Sequence, residues 1–323
     1  MKKILITGGS GFIGSHLARY YVKSNAKVAI TTKYDSVFDN IRLSDVWNKI
    51  TVIESDLRNI DSINKIKKFN PDIIFHLAAY NDVGGSFDNY SESLNSNIIA
   101  TANLLETIDG YEQFIYISTS EVYGYQNNKV PFVETMKPQP ISPYSIGKFS
   151  GELYANMHMS FYKKPIKIIR PFNAFGPWQS MKAVIPEIII KCLKGEDIKT
   201  TAGFQTREFN YVENLVSGFV SCAKSKKTFN NIYNIGSNQE IRIKDLTKLI
   251  HNLTKSKSKL MIGSLKNRRT DISRMKSNYS KFNKATQWTP SIKFINGLKI
   301  TIDWYRNYLE LLENKKSTFF NLF

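Results

Sequence analysis

The chain has little cysteine, little histidine and no long apolar run. Only Cys192 and Cys222 occur among its 323 residues. They are too few to staple a fold and are not spaced as metal ligands, which implies a reducing, cytoplasmic setting. His16, His76, His158 and His251 are the four histidines, and none pairs with another in a ligand pattern, so no metal site is expected. No stretch approaches the roughly 20 apolar residues that span a bilayer. The start, Met1-Lys2-Lys3-Ile4, has too short an apolar region for a secretory signal. A disulfide-built scaffold and a helical membrane protein are thereby excluded.

Acidic charge is also scarce: 27 Asp and Glu stand against 45 Lys and Arg, a net of +18. Residues 241–300 alone hold fifteen Lys/Arg against Asp245 and Asp271, a net of +13. Such a surface suits nucleic acid or draws anionic small molecules by its field. A chain rich in Lys, Asn and Ile also produces it as plain solvated surface. No nucleic-acid-binding motif accompanies the charge, so no nucleic-acid partner is expected. The rest of the composition, 42% hydrophobic and 22% charged, is that of a globular protein of one large or two modest domains.

What is present begins at once. A short apolar run at 4–6 reads as a buried parallel strand and leads into Thr7-Gly8-Gly9-Ser10-Gly11-Phe12-Ile13-Gly14, then a helical stretch over 12–22. Glycine permits a tight turn and close approach of backbone N–H groups to a pyrophosphate, which a helix N-terminus also attracts. Strand, glycines and helix in that order make a dinucleotide loop. Apolar runs at 27–31, 51–53, 73–77, 114–118 and 166–169 alternate with helical stretches, including 91–107 and 145–161. That alternation predicts an α/β, Rossmann-type, doubly wound parallel sheet. The second strand ends in Thr31-Thr32-Lys33-Tyr34, with no acid until Asp35. An acid there would bind the NAD 2′-hydroxyl, whereas Lys33 suits a 2′-phosphate, so NADP is favoured over NAD.

Two further patterns carry chemistry. Thr119-Ser120-Glu121 is followed, 23 residues after Glu121, by Tyr144-x-x-x-Lys148. Tyrosine, with a pKa of about 10, is a poor base at pH 7. A lysine one helical turn along can face it, and positive charge favours the phenolate. Pro138, Pro140 and Pro143 restrict the loop ahead of this helix.

These motifs, in order, resemble the extended short-chain dehydrogenase/reductase superfamily, in its nucleotide-sugar epimerase/dehydratase branch. The resemblance assigns Gly8, Gly11, Phe12, Ile13 and Gly14 to the cofactor loop, Thr32 and Lys33 to the ribose end, and Asp56-Leu57 to the adenine. Leu77, Ala78 and Ala79, after His76, border the cofactor. It also covers Arg170-Pro171-Phe172-Asn173, Arg207-Glu208-Phe209 and Tyr233-Asn234-Ile235-Gly236. Tyr144 is implied as the base at the sugar C4 hydroxyl. Lys148 would lower its pKa and hold the cofactor ribose, and Thr119 would orient the C4 oxygen.

Glu121 would remove the C5 proton and help the C6 hydroxyl depart, which 4-epimerases do not require. Ser120 replaces the aspartate of thymidine-nucleotide glucose dehydratases, so the triplet looks like that of GDP-sugar 4,6-dehydratases or UDP-glucuronate decarboxylases. Asn173, Arg207 and Arg269 are implied as diphosphate ligands, with Arg268 or Arg274 as substitutes. The resemblance implies a cofactor domain over 1–172, with a return near 207–236, and a smaller α/β nucleotide-sugar domain over 173–323. It further implies a homodimer through the helices at 91–107 and 145–161. The expected function is a nucleotide-sugar 4,6-dehydratase. The alternatives are a 4-epimerase, a UDP-glucuronate decarboxylase, a C4 dehydrogenase, or a cofactor-binding regulatory or RNA-associating protein.

Overall fold

The computed structural model describes residues 1–33, 41–127, 131–266 and 272–320. Seven parallel strands form its main sheet: β1 (Lys3–Thr7), β2 (Lys27–Thr32), β3 (Ile50–Glu54), β4 (Ile73–His76), β5 (Gln113–Ile117), β6 (Ile166–Pro171) and β7 (Ile232–Ile235). Their order, β7-β6-β5-β4-β1-β2-β3, reverses direction between β1 and β4. Ligands of open α/β sheets bind at that switch point, outside the carboxyl ends of the strands.

Alternation along the strands explains why both faces must be covered. Ile4 and Ile6 join one buried cluster with Val28, Ile30 and Phe75, while Leu5, Ala29 and Ile74 join another on the opposite face. The first face is covered by α1 (Phe12–Lys23), through Leu17, Ala18 and Tyr21. The second is covered by α2 (Ile60–Lys67), through Ile63 and Ile66, and by two longer helices. One of these, α3, runs over 90–107 as Tyr90–Leu94, a π-helical turn Asn95–Ile99, and Ala100–Thr107. The other is α4 (Pro143–Phe161), which starts from a Ser142/Ser145 capping box with Pro143 in its first turn. A plain helix was the expectation for 91–107. The π turn is the difference, and it directs Asn97 inward: its amide brackets Tyr80, accepting from the N–H and donating to the carbonyl, each at 3.1 Å.

The remaining helices are α5 (Val184–Lys194), α6 (Val212–Lys224), α7 (Ile243–Thr254), α8 (Ser280–Thr286) and α9 (Phe294–Phe320). Three short ladders link the segments beyond β6. Ala174–Phe175 pairs with Asn210–Tyr211, Thr206–Arg207 with Ile241–Arg242, and Ile198–Thr200 with Leu260–Ile262. The chain therefore leaves the sheet after β6 and returns to its edge as β7, pairing Ile232 with Ile168.

Candidate active site

The glycine loop follows β1 into the switch point. Gly8 adopts φ +65°, open to glycine at little cost. A Cβ on Gly14 would stand 2.4 Å from the Gly8 carbonyl, so no larger residue fits without moving backbone. No side chain caps the N-terminus of α1, which leaves its first N–H groups for an anion. Beneath the loop, Thr7 Oγ1 accepts the Ala78 N–H at 3.1 Å and lies 2.7 Å from His76 Nδ1. His76 Nε2 lies 3.0 Å from Thr101 Oγ1, which donates to the Asn97 carbonyl at 2.8 Å. Each hydroxyl has one proton to give, so Thr7 donates to Nδ1 and Nε2–H donates to Thr101. His76 is thus a neutral linker, its pKa pushed down to about 3 by burial and by the Lys148 charge.

Two cavities share the loop. One, of about 330 Å³, lies between Gly8, Thr32, Lys33, Asp56, Leu57 and Ala78. Arg58 and Glu92 also line it, and motif reasoning missed both. Arg58 donates to Asp56 at 2.9 and 3.1 Å through Nε and also pairs with Glu92, holding the Asp56 carboxyl below its usual range. Lys33 Nζ reaches the same Glu92 at 3.2 Å. Arg58 stands two residues after Asp56 and was findable on that ground. Glu92 carried no signal. Tyr34, Asp35 and Ser36 lie outside the described residues.

The second cavity, of about 390 Å³, brings Gly11, Ile13, Thr119, Ser120, Tyr144 and Lys148 onto one wall system. Leu77 and Ala79 border both cavities, and Phe12 and Gly14 the second. The shape, the glycine cradle and the uncapped helix fit a nicotinamide dinucleotide. Its adenosine would lie towards Asp56 and its nicotinamide towards Tyr144.

Thr119 caps the short turn Ser120–Tyr123, accepting the Glu121 N–H at 3.2 Å. Tyr144 projects from the first turn of α4 and hydrogen-bonds Thr119. Burial nonetheless pushes the phenol up to about 12. The Thr119 bond pulls it down, and the nearby Glu121 carboxylate pushes it further up. Glu121 itself is half-buried.

The lowering of Tyr144 expected from Lys148 is not what the structure shows. Lys148 Nζ donates to the Ile117 carbonyl at 2.6 Å and sits 4.5 Å from the centre of the Tyr116 ring. Burial pushes its pKa down to about 7, against the opposing pull of Glu152. Glu152, one turn further along α4, is paired with Arg170 and accepts the Ser118 hydroxyl at 2.8 Å. Arg170 continues to the Tyr123 hydroxyl at 3.0 Å, which donates to Asn234 at 2.7 Å. A buried polar chain thus runs from Ser118 through Glu152, Arg170 and Tyr123 to Asn234 on β7.

A third cavity, of about 270 Å³, adjoins the second through Asn173, Val184 and Phe209, and Arg207 lines it with Lys191 and Lys199. Arg207 donates to the Ile272 and Thr206 carbonyls at 2.6 and 2.8 Å. Asn173 donates more loosely to the Glu208 carbonyl at 3.4 Å. The buried Glu208 carboxylate gathers the Ser237 N–H, the Ser277 N–H and the Ser277 hydroxyl at 2.6 to 2.8 Å. Arg268 and Arg269 lie outside the described residues, and Arg274 is paired with Glu240. Among the described residues, no three His, Cys, Asp or Glu cluster as metal ligands. No helix there is long and apolar enough to cross a membrane.

The chain is similar to nucleotide-sugar enzymes of more than one activity. The family model for GDP-mannose 4,6 dehydratase matches residues 5–301. The chain is 31% identical to a dTDP-D-glucose 4,6-dehydratase of Dictyostelium discoideum, over 95% of this chain and 82% of that one. It is equally 31% identical to a UDP-N-acetyl-alpha-D-glucosaminuronate decarboxylase of Bacillus cytotoxicus, over 94% and 98%. In structure it is similar to a UDP-glucuronic acid 4-epimerase of Bacillus cereus in complex with UDP-glucuronic acid and NAD. That likeness has a TM-score of 0.87 and 28% identity, over 95% of this chain and 99% of that one. The chain therefore belongs to the GDP-mannose 4,6-dehydratase family, among the nucleotide-sugar dehydratases and epimerases of the extended short-chain dehydrogenase/reductase superfamily.

Proposed function

We propose that the protein is a nucleotide-sugar 4,6-dehydratase dependent on NAD(P). The observation that carries this reading is the meeting of Thr119, Ser120, Tyr144 and Lys148 with the glycine loop in one cavity. Tyr144 Oη takes the proton of the sugar C4 hydroxyl, with Thr119 Oγ1 sharing the bond. A bound oxidised nicotinamide supplies the hydride acceptor and a positive charge that favours the phenolate. Glu121 takes the C5 proton, acidic once C4 is a carbonyl, and delivers it to the C6 hydroxyl, which leaves as water while Ser120 donates it a hydrogen bond. The hydride removed from C4 would then return to C6 and a proton to C5, giving the 4-keto-6-deoxy sugar with the cofactor unchanged overall. Lys148, released from the Ile117 carbonyl, holds the cofactor ribose. Asn173 and Arg207, with Arg269, bind the diphosphate.

NADP is the finer reading, because Thr32 stands where an acid would bind a 2′-hydroxyl and Lys33 and Arg58 line that cavity. A 2′-phosphate must compete with Glu92 for both cations. Residues 1–172 with β7 form the cofactor domain, and the rest mainly the sugar-nucleotide domain. A homodimer through α3 and α4 is supported by their outward Ile99, Ile146, Leu153 and Phe161, the last 80% exposed. Free, buried Cys192 and Cys222 suit the cytoplasm.

The test is product mass after incubation with GDP-mannose, dTDP-glucose, UDP-glucose and UDP-glucuronate. Loss of water supports the dehydratase, loss of carbon dioxide makes it a decarboxylase, and an epimer of unchanged mass makes it an epimerase. Turnover of none of them, with tight RNA binding, would sink the enzyme reading.

A further inference from the structure

Just beyond the sheet, three consecutive carbonyls are each held by a side chain from a distant part of the chain. His16 Nε2, on α1, lies 3.0 Å from the Pro177 carbonyl. Arg42 Nε donates to the Trp178 carbonyl at 3.0 Å, and the Tyr305 hydroxyl, from α9, donates to the Gln179 carbonyl at 2.5 Å. Between them, Trp178 adopts φ +68°, a left-handed conformation that is rare for a bulky side chain. Its indole meets Trp304 and Tyr308, ring centres 4.8 and 5.8 Å away, and those two rings stack on each other at 4.9 Å. Gly176, at φ +152°, packs so tightly on α6 that a Cβ would stand 2.7 Å from Val212.

Strained backbone of this kind persists only where its surroundings over-determine it, and it clusters at ligand sites. This turn delivers Gln179, Ala183 and Val184 to the wall opposite the glycine loop, and Val184 continues into the third cavity. Gln179 repeats the pattern, its amide N–H₂ donating to the Ala174 carbonyl at 2.9 Å while its Oε1 is buried without a partner. Nothing in the glycine loop or in Tyr144-x-x-x-Lys148 requires these costs.

We propose that Trp178 and the three side chains holding its turn, His16, Arg42 and Tyr305, are positioning residues that set the substrate-side wall and thereby the affinity for the nucleotide sugar. This rests on the dehydratase reading above. The device joins α1, the Arg42 segment and α9 at one turn, so the wall is set by contacts 161, 136 and 126 residues apart in sequence.

The test uses the nucleotide sugar, among GDP-mannose, dTDP-glucose and UDP-glucose, that the wild type turns over. Tyr305→Phe deletes one hydroxyl, and Trp178→Gly deletes the indole while accepting the backbone angle. KM should rise about 5-fold in the first and about 30-fold in the second, with kcat and the Kd for NADP and NAD within about twofold of wild type. A merely structural role lowers Tm and leaves KM unchanged, which overturns the proposal. Equal weakening of cofactor and sugar also overturns it. Should Trp178→Gly fail to fold, Tyr305→Phe and Arg42→Met decide by the same KM criterion. If the wild type turns over no sugar, the reading of the site falls and this assignment with it. If the wild type is active and the variants keep its KM, this assignment alone falls.

Discussion

On the cofactor side the chain shapes the trough with its own backbone, through a positive φ at Gly8, a Gly14 that sits against the Gly8 carbonyl, and the uncapped start of α1. On the substrate side the wall hangs from side chains that arrive from elsewhere, His16, Arg42 and Tyr305 on one turn and Glu208 on another. The first construction is compact in sequence and fails when a single methyl is added. The second is spread over the chain and fails in parts, one anchor at a time. Between the two stands Tyr144, in the cavity that both walls line, the pKa of its phenol raised further above neutral pH by desolvation.

The sharpest way to break the comparison is to remove the group that both sides serve. Tyr144→Phe should lower kcat about 1,000-fold, with the Kd for cofactor and for nucleotide sugar nearly unchanged. Isothermal titration alongside turnover checks this, and a weak effect on kcat would move the base elsewhere. Next in size, Gly14→Ala should weaken cofactor binding about 100-fold, near 3 kcal/mol. Nucleoside diphosphate, titrated alone, should bind as before. Equal loss of both ligands would mean that the two sides are not built independently.

A third effect, read in stability and not in binding, concerns Lys148, whose pKa of about 7 in the folded protein lies below its ordinary 10.5. The unfolded chain then holds the proton between those values while the folded one has lost it, so stability rises with pH across that window. Below about pH 7 the folded protein carries the buried charge and its full cost. Wild type should therefore gain on Lys148→Met as pH rises from 7 to 10, by at most about 1.4 kcal/mol per pH unit. Parallel melting curves would locate the lysine elsewhere.

Legibility in the sequence follows the same division. Gly8, Gly11, Gly14, Thr119, Tyr144 and Lys148 could be singled out because each sits in a short motif and the motifs follow one another in the order of a known family. The alternation of apolar runs likewise announced a parallel sheet, and each strand read from it lies in the sheet. Glu92, the Glu152–Arg170 pair and the Trp178 anchors were not recognisable. Each depends on a partner far away in sequence or on a side-chain direction that no spacing encodes. Lys148 teaches the same lesson within one helix. Standing four residues from Tyr144 permits the two to meet, but burial and the Ile117 carbonyl take the ammonium elsewhere.

Glycine positions and short continuous apolar runs act through local sterics and burial, which neighbouring residues set. They were enough to announce the sheet and the glycine loop ahead of α1. Charge and pKa depend on everything packed within a few ångströms, whatever its place in the chain. Only the tertiary structure therefore decided that the Tyr144 phenol is raised above its ordinary pKa, that Lys33 and Arg58 share Glu92, and that a strained tryptophan holds the opposite wall.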